Sequence, residues 1–233
     1  GVKIEDAASA LASLTGRVWL SVVRPSWFVY AEGFRRSKLT LAVKRAVDIV
    51  VSAVAIVICA PLVPLIAAAI RLDSRGPVFY RQTRVGYQGR TFQLLKFRSM
   101  HENAERANEA LWAREQDPRS TRVGRFLRKS RLDELPQFIN VLRGEMSFVG
   151  PRPERPAFVE QLRKEIPYYD ERHSVRPGIT GWAQVRYRYG ASVNDAERKL
   201  EYDLFYLKNM SLAFDMLIAF ETVRIVLFGR GAR

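Results

Sequence analysis

Between Ile49 and Ile70 the chain carries no charged residue, and two prolines, Pro61 and Pro64, fall near the middle of that run. Roughly 20 apolar residues suffice to cross a bilayer as a helix, so the run is long enough to span one. The prolines oppose a straight span. Each removes a backbone donor, and Pro61 also disfavours helical backbone at Ala60, so the segment is predicted to bend or break there. Lys44 and Arg45 precede the run and Arg71 and Arg75 follow it. Positive flanks prefer the cytoplasmic side, so basic charge at both ends predicts a helical hairpin that enters and leaves one face. A kinked span is the alternative, since backbone groups freed at the break need partners from Ser52 or from neighbouring protein. The run begins too far into the chain, and lacks the following polar cleavage region, for a signal peptide.

Charge narrows the choice of ligand. The 233 residues hold 38 Lys+Arg against 24 Asp+Glu, a net charge of +14 and a pI near 10.3. Such a chain seeks anions: nucleic acid, anionic lipid or a nucleotide. Its length allows one sizeable domain with appendages. A single cysteine, Cys59, excludes an internal disulfide and reads as a small buried hydrophobe within the apolar run. His101 and His173 have no Cys or His neighbour at a metal-ligand spacing, which argues against structural zinc.

The chemistry concentrates in Leu132-Asp133-Glu134-Leu135-Pro136-Gln137. Pro136 suits the first position of a helix and Gly144 its C-terminal stop, which puts Asp133 and Glu134 at the helix entrance. A carboxylate there is stabilised by the helix dipole and can act as nucleophile or metal ligand; equally, an acidic pair in a first turn can be a mere cap. Its company raises the first reading. Arg122, Arg125, Arg128, Lys129 and Arg131 precede the pair, and Arg143, Arg152 and Arg155 follow it. Arginines bind phosphate bidentately and a carboxylate pair can hold the divalent metal that accompanies a diphosphate, so the set describes a nucleotide-diphosphate site. A solvated basic face, or headgroup contact, is the plainer reading of any single arginine outside the motif.

The order of these motifs resembles that of the bacterial sugar transferases called monotopic phosphoglycosyl transferases. The likeness rests on the proline-interrupted run, Gly76-Pro77-Val78-Phe79-Tyr80-Arg81-Gln82, Lys96-Phe97-Arg98-Ser99-Met100, the Asp133-Glu134 segment, Gly150-Pro151-Arg152-Pro153 and Arg176-Pro177-Gly178-Ile179-Thr180-Gly181-Trp182-Ala183-Gln184. It extends to Tyr202–Ser211, similar to the C-terminal catalytic region of larger exopolysaccharide-initiating members. What the resemblance implies is a mainly helical α+β fold: a re-entrant membrane helix hairpin, a small cytoplasmic catalytic domain with a short β-hairpin, and interfacial amphipathic helices. It also implies transfer of a sugar 1-phosphate from a UDP-sugar to polyprenyl (undecaprenyl) phosphate at the cytoplasmic face of the bacterial inner membrane. Asp133 would attack to give an aspartyl-phosphosugar intermediate and UMP, and Glu134 would assist by binding Mg²⁺ with Asp133 or by orienting the reacting groups. Lys96, Arg128 and Arg152 match the family's motif positions for phosphate contact or site architecture, with Arg176 a further candidate. One departure concerns Arg186-Tyr187-Arg188-Tyr189-Gly190, where many small members carry Asn-Gly-Arg; it leaves the sugar undetermined, with glucose and galactose the first guesses.

Four segments result: a connector over 1–40, the re-entrant helix over 41–75, the catalytic domain over 76–208 and a C-terminal amphipathic helix over 209–233. The connector is expected to hold a short helix from Glu5 to Leu14 and an aromatic loop from Arg24 to Tyr30, and the start at Gly1 suggests a chain cut from a longer protein. Val78–Arg84 and Thr91–Arg98 are predicted to pair as strands through a turn at Gly86–Gly89, with Lys96 and Arg98 aimed at one surface where they could hold phosphate. Glu102–Glu115 reads as a polar helix and Pro156–Ile166 as another. The Arg176–Gly181 turn offers small residues and backbone N–H groups to a ligand. Met210–Phe228 is too charged to span comfortably and is predicted to lie on the membrane, or to pair with a second copy in a homodimer. Two rival readings are a membrane-tethered nucleic-acid binder, for which no recognised motif speaks, and a noncatalytic membrane scaffold binding anionic lipid.

Overall fold

The computed structural model describes residues 7–30, 37–101, 118–187, 190 and 192–228, with only the backbone of 29 and 30. In chain order the helices and strands are α1 (Ala7–Thr15), α2 (Pro25–Tyr30), α3 (Lys38–Cys59), α4 (Leu62–Asp73), β1 (Phe79–Val85), β2 (Thr91–Phe97), α5 (Arg122–Lys129), α6 (Gln137–Arg143) and β3 (Ser147–Val149). They continue with α7 (Pro156–Glu165), β4 (Gly178–Thr180), α8 (Trp182–Arg186), α9 (Val193–Asn209) and α10 (Leu212–Phe228). The expected polar helix over Glu102–Glu115 lies outside the described residues.

The proline break falls where the sequence places it. Ala60 and Pro61 separate α3 from α4, and Pro64 stands in the first turn of α4, where a missing N–H costs no intrahelical bond. Among the described residues no single helix is long and apolar enough to cross a membrane, whereas α3 and α4 together meet that length and composition, bent by 63°. Their apolar side chains are left uncovered: Val50, Val54, Val57, Ile58, Leu62 and Leu65 are all exposed. A contiguous apolar surface of this kind marks an interaction site rather than a surface meant for water.

The amino-terminal half of α3 is tied to the rest of the protein by polar contacts. Arg45 donates to the carbonyls of Val141 (2.6 Å) and Leu142 (3.0 Å) at the C-terminal end of α6, the negative end of that helix. Lys44 reaches the Val149 carbonyl (3.1 Å) and Asp215 on α10 (2.6 Å), and buried Asp48 accepts from the Phe148 N–H (3.0 Å). Lys44 and Arg45, read from sequence as membrane-flanking charges, thus fix the bent helix pair to the rest of the protein.

β1 and β2 form the predicted hairpin, pairing antiparallel with Phe79 opposite Phe97 and Val85 opposite Thr91. The turn holds Gln88 at φ 54 and Gly89 at φ 74. β3 and β4 pair in parallel, and this joins two motifs distant in sequence. Gly150 and Gly178 are required by the closeness of the two backbones: a Cβ on Gly178 would lie 2.1 Å from the Gly150 nitrogen. The N–H groups of this region are already used, Gly150 donating to the Thr180 carbonyl and Gly178 to that of Pro151, each at 2.9 Å. Of the N–H groups that the 176–181 turn is expected to offer a ligand, that of Gly178 is therefore already taken by the Pro151 carbonyl.

The largest apolar cluster combines α1 and the segment after it with α7 and α9: Ala8, Ala12, Val18, Leu20, Val23 and Trp27 pack with Phe158, Val159, Leu162, Leu200 and Leu204. Arg24–Tyr30, expected as an aromatic loop, contains α2, and Trp27 is buried and donates to Ser9 Oγ (3.2 Å). Val18 N–H bonds the Glu201 carbonyl (2.9 Å) and Trp182 Nε1 bonds the Gly16 carbonyl (2.7 Å), so residues 7–27 are built into the body. α10 differs from a one-sided amphipathic helix. Ile218 is fully buried against Trp182, Tyr206 and Leu207, yet Met216, Leu217, Phe220, Val223 and Leu227 are exposed, which makes its outer face apolar too.

Candidate active site

Asp133 and Glu134 lie in a 3-10 turn, Leu132–Glu134, entered through Arg131 in the left-handed conformation at φ 59. A non-glycine residue there costs on the order of 1 kcal/mol and persists where surrounding contacts impose it, commonly at a functional site. Leu132 and Leu135 pack toward Ile66, Ile70, Phe97 and Leu127, which leaves the two carboxylates to turn toward β2. Pro136 caps α6 and Gly144 ends it at φ 84, as the sequence predicts. The dyad nevertheless precedes α6 by this extra turn, and its carboxylates are stabilised by side-chain cations rather than by α6.

Glu134 Oε1 accepts from Lys96 Nζ at 3.0 Å and from Arg152 Nη2 at 2.6 Å, while Oε2 lies 3.8 Å from Arg131 Nη1. Burial works against the charged carboxylate, but Arg152, Lys96 and Arg131 outweigh it and hold the Glu134 carboxyl well below the usual glutamate range. Burial pulls the Lys96 ammonium down, opposed by Glu134. Asp133 has a different environment. It is 6% exposed and makes no hydrogen bond or ion pair among the described residues. Burial is the main reason its carboxyl is pushed above the usual aspartate range, opposed by Lys96 and reinforced by the Glu134 charge. A poorly solvated, unpaired carboxylate beside three cations is a competent nucleophile toward a phosphate that those cations can hold.

Several residues that the sequence does not single out place these groups. Asn140, fully buried on α6, accepts from the Leu95 N–H (3.0 Å) and donates to the Gln93 carbonyl (2.7 Å). It therefore satisfies the open edge of β2 beside Lys96 and fixes Lys96 against the dyad. Arg172 bonds the Arg152 carbonyl (2.9 Å) and pairs with Asp203 on α9 at 2.8 Å, with the Tyr169 hydroxyl accepting a further bond (2.7 Å). Arg84 donates to the Pro153 carbonyl (3.0 Å) and lies 3.4 Å from Glu154. Only the buried Asn and the tail aspartate carried a sequence signal, a polar residue inside an apolar period, and that signal does not specify a partner.

The other candidates stand apart from the dyad. Arg128 donates to Ser120 Oγ (2.9 Å). Arg176, exposed, donates to the Gly144 carbonyl (2.9 Å) and lies over the Tyr87 ring. Neither has a contact with Asp133 or Glu134. Arg98 does not share the surface of Lys96: it follows the end of β2 and donates to the Ser74 carbonyl (2.7 Å) and Ser74 Oγ (3.0 Å), capping the C-terminal end of α4. Among the described residues no group of three or more His, Cys, Asp and Glu is placed to hold a metal ion.

The fold and the cation-flanked carboxylate pair coincide with the residues matched by the bacterial sugar transferase family, 39–229, and the chain belongs to that family. It is 51% identical over 191 residues to a UDP-N-acetylgalactosamine-undecaprenyl-phosphate N-acetylgalactosaminephosphotransferase of Aeromonas hydrophila, covering 82% of this chain and 45% of that protein. It is 47% identical over 182 residues to a UDP-glucose:undecaprenyl-phosphate glucose-1-phosphate transferase of Escherichia coli (strain K12), covering 77% of this chain and 39% of the relative. A protein of the same description from Caulobacter vibrioides is 44% identical over 182 residues, 77% of this chain and 68% of its own. The chain therefore spans less than half the length of the Aeromonas and Escherichia relatives.

Proposed function

We propose that this chain transfers a sugar 1-phosphate from a UDP-sugar to undecaprenyl phosphate at the cytoplasmic face of the bacterial inner membrane, initiating a surface polysaccharide. The observation that carries the reading is Asp133, buried and unpaired beside a carboxylate already held by Lys96 and Arg152. The names of the relatives supply the substrate classes. In the first step an Asp133 oxygen attacks the β-phosphorus of the donor. The bond from that phosphorus to the bridging oxygen breaks, and UMP leaves with the electron pair. In the second step a phosphate oxygen of the acceptor attacks the same phosphorus and restores the Asp133 carboxylate, leaving a polyprenyl diphosphate-linked sugar.

Lys96, Arg152 and Arg131 offset the charge that the diphosphate brings and stabilise the charge that develops on it. Glu134 keeps Lys96 and Arg152 in position, and its lowered pKa keeps it anionic throughout. Mg²⁺ fits Asp133 better than Glu134, because the Asp133 oxygens take no protein donor and Mg²⁺ combines one or two carboxylates with phosphate oxygens and waters. When bound it would neutralise diphosphate charge. α3 and α4 would enter the bilayer as a re-entrant hairpin, held by Arg45 and Asp48 at its base, and α10 would lie on the surface through its exposed apolar residues.

The test is UMP release in nanodiscs containing undecaprenyl phosphate and Mg²⁺, with UDP-N-acetylgalactosamine, UDP-glucose and UDP-galactose compared. Donor-selective, lipid-dependent turnover is expected. A folded protein that binds the discs and releases no UMP with any nucleotide sugar would leave the scaffold reading in its place.

A further inference from the structure

Tyr80 stands directly opposite Lys96 across the β1–β2 pair, and Lys96 holds Glu134. The same stretch of β1 therefore lies one strand from the dyad and, through Val78 just before it packed toward Ile66 and Ile70, against α4. Phe79, the preceding residue, stacks on buried Phe97 with ring centroids 5.3 Å apart. Phe79 and Tyr80 are 46% and 40% exposed although they are large and apolar. With Pro77, Val78, Arg71 from the last turn of α4 and Arg81 on β1, they line an open groove of about 610 Å³ whose wall is almost wholly apolar. That size lies within the range of small-molecule sites, about 300–1,000 Å³.

We infer that this groove seats the acceptor lipid, the isoprene units nearest the phosphate lying on Phe79, Tyr80 and Val78, with Arg71 and Arg81 drawing the phosphate toward Lys96 and Asp133. The inference rests on the transfer reading above. A polyprenyl phosphate is a single apolar chain ending in a concentrated negative charge, and the groove offers an apolar wall lined also by two arginines, Arg71 and Arg81. The exposed apolar residues of α4, Leu62, Leu65 and Leu72, run up to it, so a lipid following that helix out of the membrane meets the groove next. A nucleotide donor has no use for an apolar wall bordering the hairpin. Because in-line displacement at the aspartyl phosphate puts the attacking acceptor oxygen where the departing UMP oxygen was, the groove has to deliver the acceptor phosphate to that vacated position while the isoprene chain stays on the apolar wall.

The experiment compares wild type, the R71E/R81E double variant and Tyr80→Ala in nanodiscs of fixed anionic lipid content. Initial rates are measured against undecaprenyl phosphate and against a short, water-soluble polyprenyl phosphate, with the donor KM and partition onto vesicles lacking acceptor measured in parallel. R71E/R81E is expected to raise the acceptor KM for both chain lengths about ten-fold or more, equivalent to about 1.4 kcal/mol, without a matching rise in donor KM. Tyr80→Ala is expected to narrow the preference for the long chain over the short one. Unchanged acceptor KM and unchanged chain-length preference would overturn the assignment. So would a KM rise that only tracks a loss of vesicle partition, since the arginines would then be meeting bulk headgroups, or a shift in oligomeric state, since the groove would then belong to a second copy. Wild type that releases no UMP overturns the transfer reading itself, whereas wild-type turnover with unaffected variants overturns the groove alone. Circular dichroism melts of both variants keep a folding defect from passing as lost affinity.

Discussion

Asp203 and Glu134 are both buried carboxylates held by arginine, and their surroundings differ in one respect. Asp203, 1% exposed, meets Arg172 through Nε at 3.1 Å and Nη2 at 2.8 Å, and the hydroxyl of Tyr169 and the carbonyl of Arg152 take up other Arg172 donors. One acid answers one base. Around Glu134, Lys96, Arg152 and Arg131 converge on two acids, of which Asp133 has no direct partner. The balanced pair fixes a backbone; the unbalanced group has capacity for a further anion. A buried ion pair is weak evidence of stability for its own sake, so the surplus is the better guide to chemistry.

The largest effect expected from breaking the unbalanced group is that of Asp133→Asn. Loss of the nucleophile should lower turnover by on the order of 10⁴-fold or more, measured as UMP release in nanodiscs. Donor binding should hold or tighten, because removing a negative charge enlarges the cation surplus; calorimetric titration with the UDP-sugar reads this directly. Weaker binding together with lost turnover would make Asp133 a donor-binding residue instead. The same argument gives the pH profile. As the proposed nucleophile, Asp133 would have to be ionised to attack, and its carboxyl is raised, so the acid limb of kcat/KM should fall above the usual aspartate range, and should report the coupled dyad rather than one residue.

The Glu134 half of the dyad gives the next effect. Glu134→Gln leaves Lys96 and Arg152 without their shared anion, and turnover should fall about 10²–10³-fold through misplaced cations. Breaking a buried pair costs about 3–5 kcal/mol; with Arg152 36% exposed, about 2 kcal/mol is expected in a denaturant titration. The sign with pH follows from the lowered carboxyl. Glu134 contributes stability that is full above the ordinary glutamate range and is lost only as pH falls through its depressed value. Glu134→Gln should therefore flatten the acid end of the stability curve.

These two regions were unequally legible in the sequence. The broken apolar run, the β1–β2 hairpin and the Pro136-to-Gly144 helix follow from local rules, because proline, glycine and period-two alternation act within a few residues. Asp133, Glu134, Lys96 and Arg152 were legible as members of motifs, and the structure brings all four together. Arg172 was not, and Asp203, though inside the Tyr202–Ser211 motif, carried no sign of its partner, since a pair separated by β4, α8 and most of α9 leaves no periodic trace. Arg98 misled for a related reason: period two places it beside Lys96, but the strand ends at Phe97 and the chain turns it onto α4. Residues 7–27 looked like a connector because their burial depends on α7 and α9, which the local pattern does not reveal.

The balanced region allows a test by restoration. Arg172→Met alone buries Asp203 without a partner and should cost about 3–5 kcal/mol of stability. Adding Asp203→Leu should return part of that loss, since an apolar pair can replace a buried ion pair at little net cost. In the double variant the Arg152 carbonyl still lacks its donor. If Arg172 positions Arg152, the donor KM should stay several-fold raised even where stability recovers; a KM that recovers in step with stability would reduce the pair to packing.

The last effect, spread over a pH range rather than read at one pH, separates the two regions. His173 follows Arg172, lies buried at the edge of the Tyr169 ring, and is held down to about 4, first by burial and then by the Arg172 charge, with Asp170 opposing. Its ordinary value is 6.5, so between those two pH values the unfolded chain binds the proton and the folded one does not. Stability should accordingly fall as pH drops from about 6.5 toward 4, by at most about 3.4 kcal/mol at 1.36 kcal/mol per pH unit. His173→Gln should remove that slope in denaturant titrations across the window. Arg172→Met should shrink it, because one of the forces keeping the imidazole neutral, beside burial and the Arg163 charge, is gone. Glu134→Gln should leave it intact, since no contact links His173 to the dyad among the described residues; a slope that moved with Glu134 would mean the balanced pair and the cation surplus titrate as a single network.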